Sequence, residues 1–235
     1  MHVVNKNVNR WSAPQEIFDT LWLYSPRPGL WMTPKGAVMP ESPEIVAIQK
    51  KITELKEELT RLRRLREPEP VKNYTLKAAG GEPVTLVDLF DGHRDMLLIH
   101  NMGRKCPYCT LWADGFNGLA DHLMDRAAFV LSTPDEPRVA REFAESRAWR
   151  FPVVSHAGTP MAKDLGYEPR PGNHMPGVSA LRLNQDRAIE RTGSDFFGPG
   201  DDYCSAWRLF DLLEDGANEW SPKYSYDISP IKVNF

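Results

Sequence analysis

A chain of 235 residues, 41% hydrophobic and 10% aromatic, is long enough to bury one sizeable core and carry an appendage. Its formal net charge of −3, from 32 acidic against 29 basic side chains, gives no basic field, so nucleic acid is not expected as a partner. Three cysteines are too few, and odd in number, for a disulfide-stapled secreted fold; with no signal-peptide core or membrane-length apolar run, the expected setting is cytoplasmic, with no membrane partner.

Residues 1–41 read as an arm. Pro14, Pro26, Pro28, Pro34 and Pro40 divide it, Trp11, Trp22 and Trp31 carry its apolar surface, and a short helix is predicted at about 13–23. It is expected to pack through its tryptophans, with a lid or partner-binding strap as the alternative. Residues 42–70 hold a long amphipathic helix. Ser42 caps it, Pro43 takes its first position, Glu44 suits the dipole and Pro68 stops it. Ile45, Ile48, Ile52, Leu55, Leu59 and Leu62 recur three and four apart between charged neighbours. That seam predicts a homodimer through residues 42–67, the alternative being a helix lying on its own domain.

Residues 71–235 are expected to form the main domain with a C-terminal tail. A hairpin is predicted over 74–77 and 84–90, turning at Gly80-Gly81 and ending in one helical turn. A core strand at 96–102 follows, then a helix at 107–124 in which Gly115 and Gly118 predict close approach or a bend. Next come a strand at 127–133, a helix at 135–149, a strand at 151–155 and a short helix at 160–167. A hairpin over 178–184 and 188–192 and a last helix at 202–213 complete a mixed sheet covered on both faces.

The chemistry concentrates where the core strand meets its helix, at Cys106-Pro107-Tyr108-Cys109. Two cysteines three apart at a helix start can close a small disulfide, and the unpaired N–H groups there favour a thiolate on the first sulfur. Cys106 is therefore the expected nucleophile and Cys109 the resolving thiol. Arg104 and Lys105 are expected to lower the Cys106 pKa further, and Pro107 suits the first helical position. A zinc site would need two more ligands, and neither a second Cys-x-x-Cys nor a His pair is present; a chance pair of buried thiols is the other alternative. No metal or organic cofactor is expected. Cys204 reads as an inert core thiol, a second resolving thiol being the alternative, and His100 as a buried imidazole without a catalytic role.

The element order, with Cys-Pro-Tyr-Cys after the first core strand and Met175-Pro176 before the hairpin, resembles the thioredoxin fold, and the motif is similar to that of glutaredoxins. The runs 86–92, Cys106-Pro107, Trp112-Ala113-Asp114-Gly115-Phe116-Asn117-Gly118 and 176–179 resemble a bacterial family of unknown function. That family is described as thioredoxin-like, predicted dithiol-disulfide oxidoreductases, and the likeness runs from about residue 44 to 213. It implies an α/β thioredoxin-like fold, a mixed central sheet with helices on both faces, preceded by the long helix; the irregular N-terminal arm lies outside the likeness, and nothing is carried over to it. It also implies that Pro176 faces the cysteines through a cis bond from Met175, these two joining Pro107 and Tyr108 in the substrate-binding surface. The expected partners are a protein or small-molecule disulfide and an unidentified electron donor. Two rivals stand beside this reading. One is a peroxiredoxin-like thiol peroxidase, although the Pro-x-x-x-Thr-x-x-Cys pattern is absent at Cys106; the other is a non-catalytic dimeric binding module.

Overall fold

Ser42 and Pro43 open the longest helix among the described residues, α1 (Pro43–Leu65), where the Glu44 N–H reaches Ser42 Oγ at 3.3 Å. A computed structural model describes residues 41–227, so the predicted helix at 13–23 and the rest of the arm's first forty residues lie outside the described residues. The chain divides into two units at Leu62/Arg63, each taken by itself. In the first, the seam residues Ile45, Ile48, Ile52, Leu55, Leu59 and Leu62 are 46–69% exposed, and α1 has no buried residue.

Among the described residues the second unit is built on one sheet of eight strands: β1 (Glu69–Val71), β2 (Thr75–Ala78), β3 (Pro83–Thr85), β4 (Asp95–His100), β5 (Ala128–Thr133), β6 (Val153–Ser155), β7 (Gly177–Leu183) and β8 (Ile189–Phe196). Their order is β1-β8-β7-β4-β5-β6-β2-β3, with β4, β5 and β6 parallel and every other pairing antiparallel. The two edge strands carry Pro70 and Pro83, where a missing N–H costs no ladder bond. β1 corrects the sequence reading: the stretch assigned to a helix over 42–70 leaves the helix at Leu65, and Glu69 already pairs with Arg191 of β8.

The alternation along β4 and β5 sets the two faces. Met96, Leu98, Ala128 and Val130 enter one apolar cluster with Leu76, Leu86, Phe90 and Tyr167. Ile99, Phe129 and Leu131 enter the other. Each fully buried side chain of this size contributes about 1.5–3 kcal/mol, so both clusters hold the sheet. On the second face lie α2 (Pro107–Gly118), α3 (Ala120–Arg126), α4 (Pro137–Ser146) and α6 (Ser205–Phe210), through Trp112, Ala120, Ala140 and Trp207. The short α5 (Met161–Asp164) covers the first face through Met161. Helices thus lie on both faces, as the sequence implied.

Several boundaries shift for local reasons. The helix predicted at 107–124 is two helices, because after Gly118 the backbone leaves helical geometry at Leu119 (φ −107°, ψ 3°). α4 starts late because Asp135 is engaged elsewhere, and it stops at Arg147, where Ala148 takes φ +52°. β8 runs to Phe196 rather than Thr192, past an irregularity in its register with β7 between Ala180 and Leu181 that hides the alternation.

Candidate functional site

β4 delivers the chain to the site and Asn101 turns it. The buried Asn101 side chain accepts from the Gly103 N–H at 2.7 Å, and Gly103 takes φ +96°, a conformation suited to glycine. A Cβ there would come within 3.2 Å of both Asp135 carboxylate oxygens. Asp135, just beyond β5, accepts from the Arg104 N–H at 2.6 Å and from Thr133 Oγ1 at 3.1 Å. The turn into Cys106 is therefore clamped by a side chain from the neighbouring parallel strand.

Cys106 is the N-cap of α2, extended at φ −100°, with Pro107 in the first turn. Its sulfur accepts from the Cys109 N–H at 3.1 Å, one of the donors a helix start leaves unpaired. Cys106 is half-buried; Cys109 lies inside, only 3% exposed, its sulfur accepting from the Met102 N–H at 3.4 Å. All three cysteines are free thiols. The Cys109 thiol, followed by the Cys109 and Tyr108 backbone N–H groups, lowers the Cys106 pKa to about 7 against the opposing effect of burial. The same thiol–thiolate hydrogen bond, reinforced by burial and by the Cys106 charge, pushes the Cys109 pKa well up. Arg104 and Lys105 stand exposed on the turn and are not among the groups that lower Cys106.

The other expected site residues surround this pair unequally. Pro107 and Tyr108 are half-buried, and the Tyr108 ring lies 6.2 Å from Trp112 and 6.3 Å from Trp207. Pro176 is buried one residue before Gly177, which pairs with His100 at the end of β4, so the ladder carries it to the strand end from which the cysteine turn departs. The Met175–Pro176 bond is trans, not cis. The Pro176 carbonyl accepts from the Phe197 N–H at 2.9 Å and the Met175 N–H donates to Tyr167 at 2.8 Å, so an extended trans run feeds straight into β7. Met175 is exposed.

His100 is buried, stacked on Tyr167 at 3.6 Å and bonded through Nε2 to Ser179 Oγ at 2.9 Å, and burial holds it neutral. Cys204 stands at the N-cap position of α6 without a side-chain capping bond, inside the cluster that holds Cys109, and burial raises its thiol. Among the described residues no three His, Cys, Asp or Glu side chains lie together as metal ligands, and no helix is long and apolar enough to cross a membrane.

Sequence reasoning missed Asn101, Asp135 and the anchoring role of Asp114. Asp114 accepts from Trp149 Nε1 at 2.9 Å and from two Arg147 nitrogens, and Asn117 Oδ1 accepts from the Arg150 N–H at 2.8 Å. An aspartate inside an apolar helical run was the available signal.

The parallel β4-β5-β6 core, the antiparallel β7-β8 pair and a Cys-x-x-Cys opening the helix after β4 define a thioredoxin-fold protein. Residues 40–229 match the bacterial proteins of unknown function DUF899, and the chain belongs to that family. No curated protein matches it. Among solved structures it is similar to the peroxidoxin BcpB of Mycobacterium tuberculosis, with 26% identity, 52% of this chain and 80% of that one covered, and a TM-score of 0.44. A PrxQ mutant of Xylella fastidiosa gives 16% identity over 57% and 89% of the two chains, with a TM-score of 0.46. A hypothetical protein of Sinorhizobium meliloti gives 14% identity over 68% and 88%, with a TM-score of 0.42.

Proposed function

We propose that this protein is a thiol–disulfide oxidoreductase with Cys106 as attacking thiol and Cys109 as resolving thiol. The observation that carries the reading is the split between the two sulfurs: a half-buried Cys106 lowered to about 7 beside a buried Cys109 pushed up by the same hydrogen bond. Near neutral pH such a pair holds one thiolate and one proton donor. The Cys106 thiolate attacks a substrate disulfide and forms a mixed disulfide, expelling one substrate thiolate. Cys106 then carries no charge, so the hydrogen bond and repulsion that held the Cys109 proton are gone. Cys109 then gives its proton to solvent, its thiolate favoured by the Met102 N–H that faces the sulfur, and that thiolate attacks the Cys106 sulfur, breaking the mixed disulfide, expelling the second substrate sulfur as a thiolate and closing the Cys106–Cys109 bridge.

Pro107, Tyr108, Met175 and Pro176 form the substrate-facing surface in this reading, and an external donor returns the electrons without metal or organic cofactor. The small, odd number of cysteines suits a reducing compartment, the cytoplasm. The exposed Ile and Leu seam of α1 supports a homodimer.

Trapping tests the reading. Cys106→Ser abolishes reduction of a small disulfide, whereas Cys109→Ser accumulates a mixed disulfide at Cys106 by mass spectrometry. A Cys109→Ser protein that traps nothing, or a wild type that binds stoichiometric zinc, overturns it. Turnover of hydrogen peroxide through a Cys106 sulfenic acid, with no disulfide reduction, would favour the peroxidase instead.

A further inference from the structure

Beside α2 and α3 the second face of the sheet holds a cavity of about 360 Å³, and every residue lining it belongs to the second unit. Leu97 of β4, Val178 and Ala180 of β7 and Gly193 of β8 make its floor, and Phe116 of α2 and Leu123 of α3 make one wall. The four floor residues are only half-buried, so the cavity is open to solvent.

Gly193 keeps that floor low. It pairs across the ladder with Ala180, so the two strands meet there with almost no side chain. A Cβ added at Gly193 would meet only the Ala180 Cβ, at 3.8 Å, which is ordinary contact. Its φ lies outside the left-handed region, so neither the backbone nor the adjoining irregularity in the β7–β8 register demands a glycine. A glycine inside a strand weakens it, and the use that remains is room for the close approach of another group.

The polar groups gather at one end. Arg63 and Asp195 form an ion pair there, with side chains 45% and 37% exposed. The Tyr203 hydroxyl donates to Asp195 Oδ2 at 2.7 Å and the Phe196 N–H to Oδ1 at 3.0 Å, so both carboxylate oxygens are engaged. Arg63 gives the pair one nitrogen, Nη2, and among the described residues its Nε and Nη1 have no other partner. Nearby, Arg66 reaches Ser194 Oγ at 3.3 Å and shares Glu69 with Arg191, so three guanidiniums stand against two carboxylates.

We propose that this cavity binds an amphipathic monocarboxylate of the medium-chain fatty acid class, its chain on the Gly193 floor and its carboxylate on Nε and Nη1 of Arg63. An apolar cavity of about 300–1,000 Å³ with a few convergent polar groups is the usual form of a small-molecule site. The open end selects the head group. An amine would meet guanidiniums with Asp195 already engaged, and an alcohol would gain no charge-assisted bond, whereas a carboxylate matches the planar Arg63 donors. Neither cysteine lines the cavity, and the proposal does not rest on the dithiol reading.

Calorimetric titration of the full-length protein with butanoate, hexanoate and octanoate, and with 1-octanol as the uncharged chain, tests it. Octanoate should bind once per chain, with affinity rising about fourfold per methylene along the series, as burial of the chain requires. Arg63→Gln should weaken octanoate about 10- to 100-fold, the range for a hydrogen bond to a charged group, and leave octanol within about twofold. Gly193→Leu, which lays a side chain on the floor, should remove both; Gly193→Ala, whose Cβ fits beside Ala180, keeps the strand intact and should weaken both. Octanol binding as tightly as octanoate, affinity independent of chain length, or octanoate binding unchanged in Arg63→Gln overturns the inference. So does an absence of saturable octanoate binding while the methyl resonances of Leu97, Leu123 and Val178 shift on protein dilution, which would assign this face to a second copy of the chain.

Discussion

Replacing Cys109 by alanine separates the two accounts of what makes Cys106 acidic. The thiol of Cys109 is the largest cause of the lowering of Cys106 from 9.0 to about 7, ahead of the backbone N–H groups. A hydrogen bond to a charged group is worth about 1.5–3 kcal/mol, or about 1–2 pKa units. Cys109→Ala should therefore raise the Cys106 midpoint by at least about one unit, and Cys109→Ser, which keeps a hydroxyl donor, by less. A bare rate at one pH would conceal this. One unit takes the thiolate fraction at pH 7 from about a half to roughly a tenth, but the more basic thiolate is intrinsically about threefold more nucleophilic, leaving a net change of only about twofold. The assay is the full pH profile of Cys106 alkylation by iodoacetamide, read on the Cys106 peptide by mass spectrometry. An unchanged midpoint in Cys109→Ala, with a one-unit rise in Arg104→Gln/Lys105→Gln, would refute the reasoning and return the tuning to the basic turn.

Two further outcomes are expected. Light scattering should give twice the chain mass for the wild type, with Leu55→Glu/Leu59→Glu shifting it towards monomer; a monomeric wild type at micromolar concentration rules the dimer out. Asp114→Ala leaves Arg147 and the Trp149 N–H without their shared acceptor and should cost about 1–3 kcal/mol in urea unfolding, whereas a loss within about 0.5 kcal/mol would mark Asp114 as an ordinary surface residue.

What could be read from the sequence was what neighbours along the chain decide. The cysteine spacing, Pro107 at a helix start and the apolar run at 127–133 each depend on a few adjacent residues, and the helix start at Pro107 and strand β5 appear where expected. The bend after Gly118 was legible for the same reason. β1 was not, because a three-residue edge strand holding Pro70 has no pattern of its own and exists only through its pairing with β8.

The site shows the same division. The placement of Cys106 at the N-cap is local, but its surroundings are not. Asp135 reaches the cysteine turn only because β5 lies beside β4, and Arg147 meets Asp114 only because the chain returns there after α4. The two candidate sources of Cys106 acidity divide the same way. Arg104 and Lys105 are its sequence neighbours, yet their side chains are exposed, whereas the Cys109 thiol is carried one helical turn inward to the Cys106 sulfur. The helical period places the residue three positions on against the Cys106 sulfur, and the pH profiles of Cys109→Ala and Arg104→Gln/Lys105→Gln decide which neighbour sets its acidity.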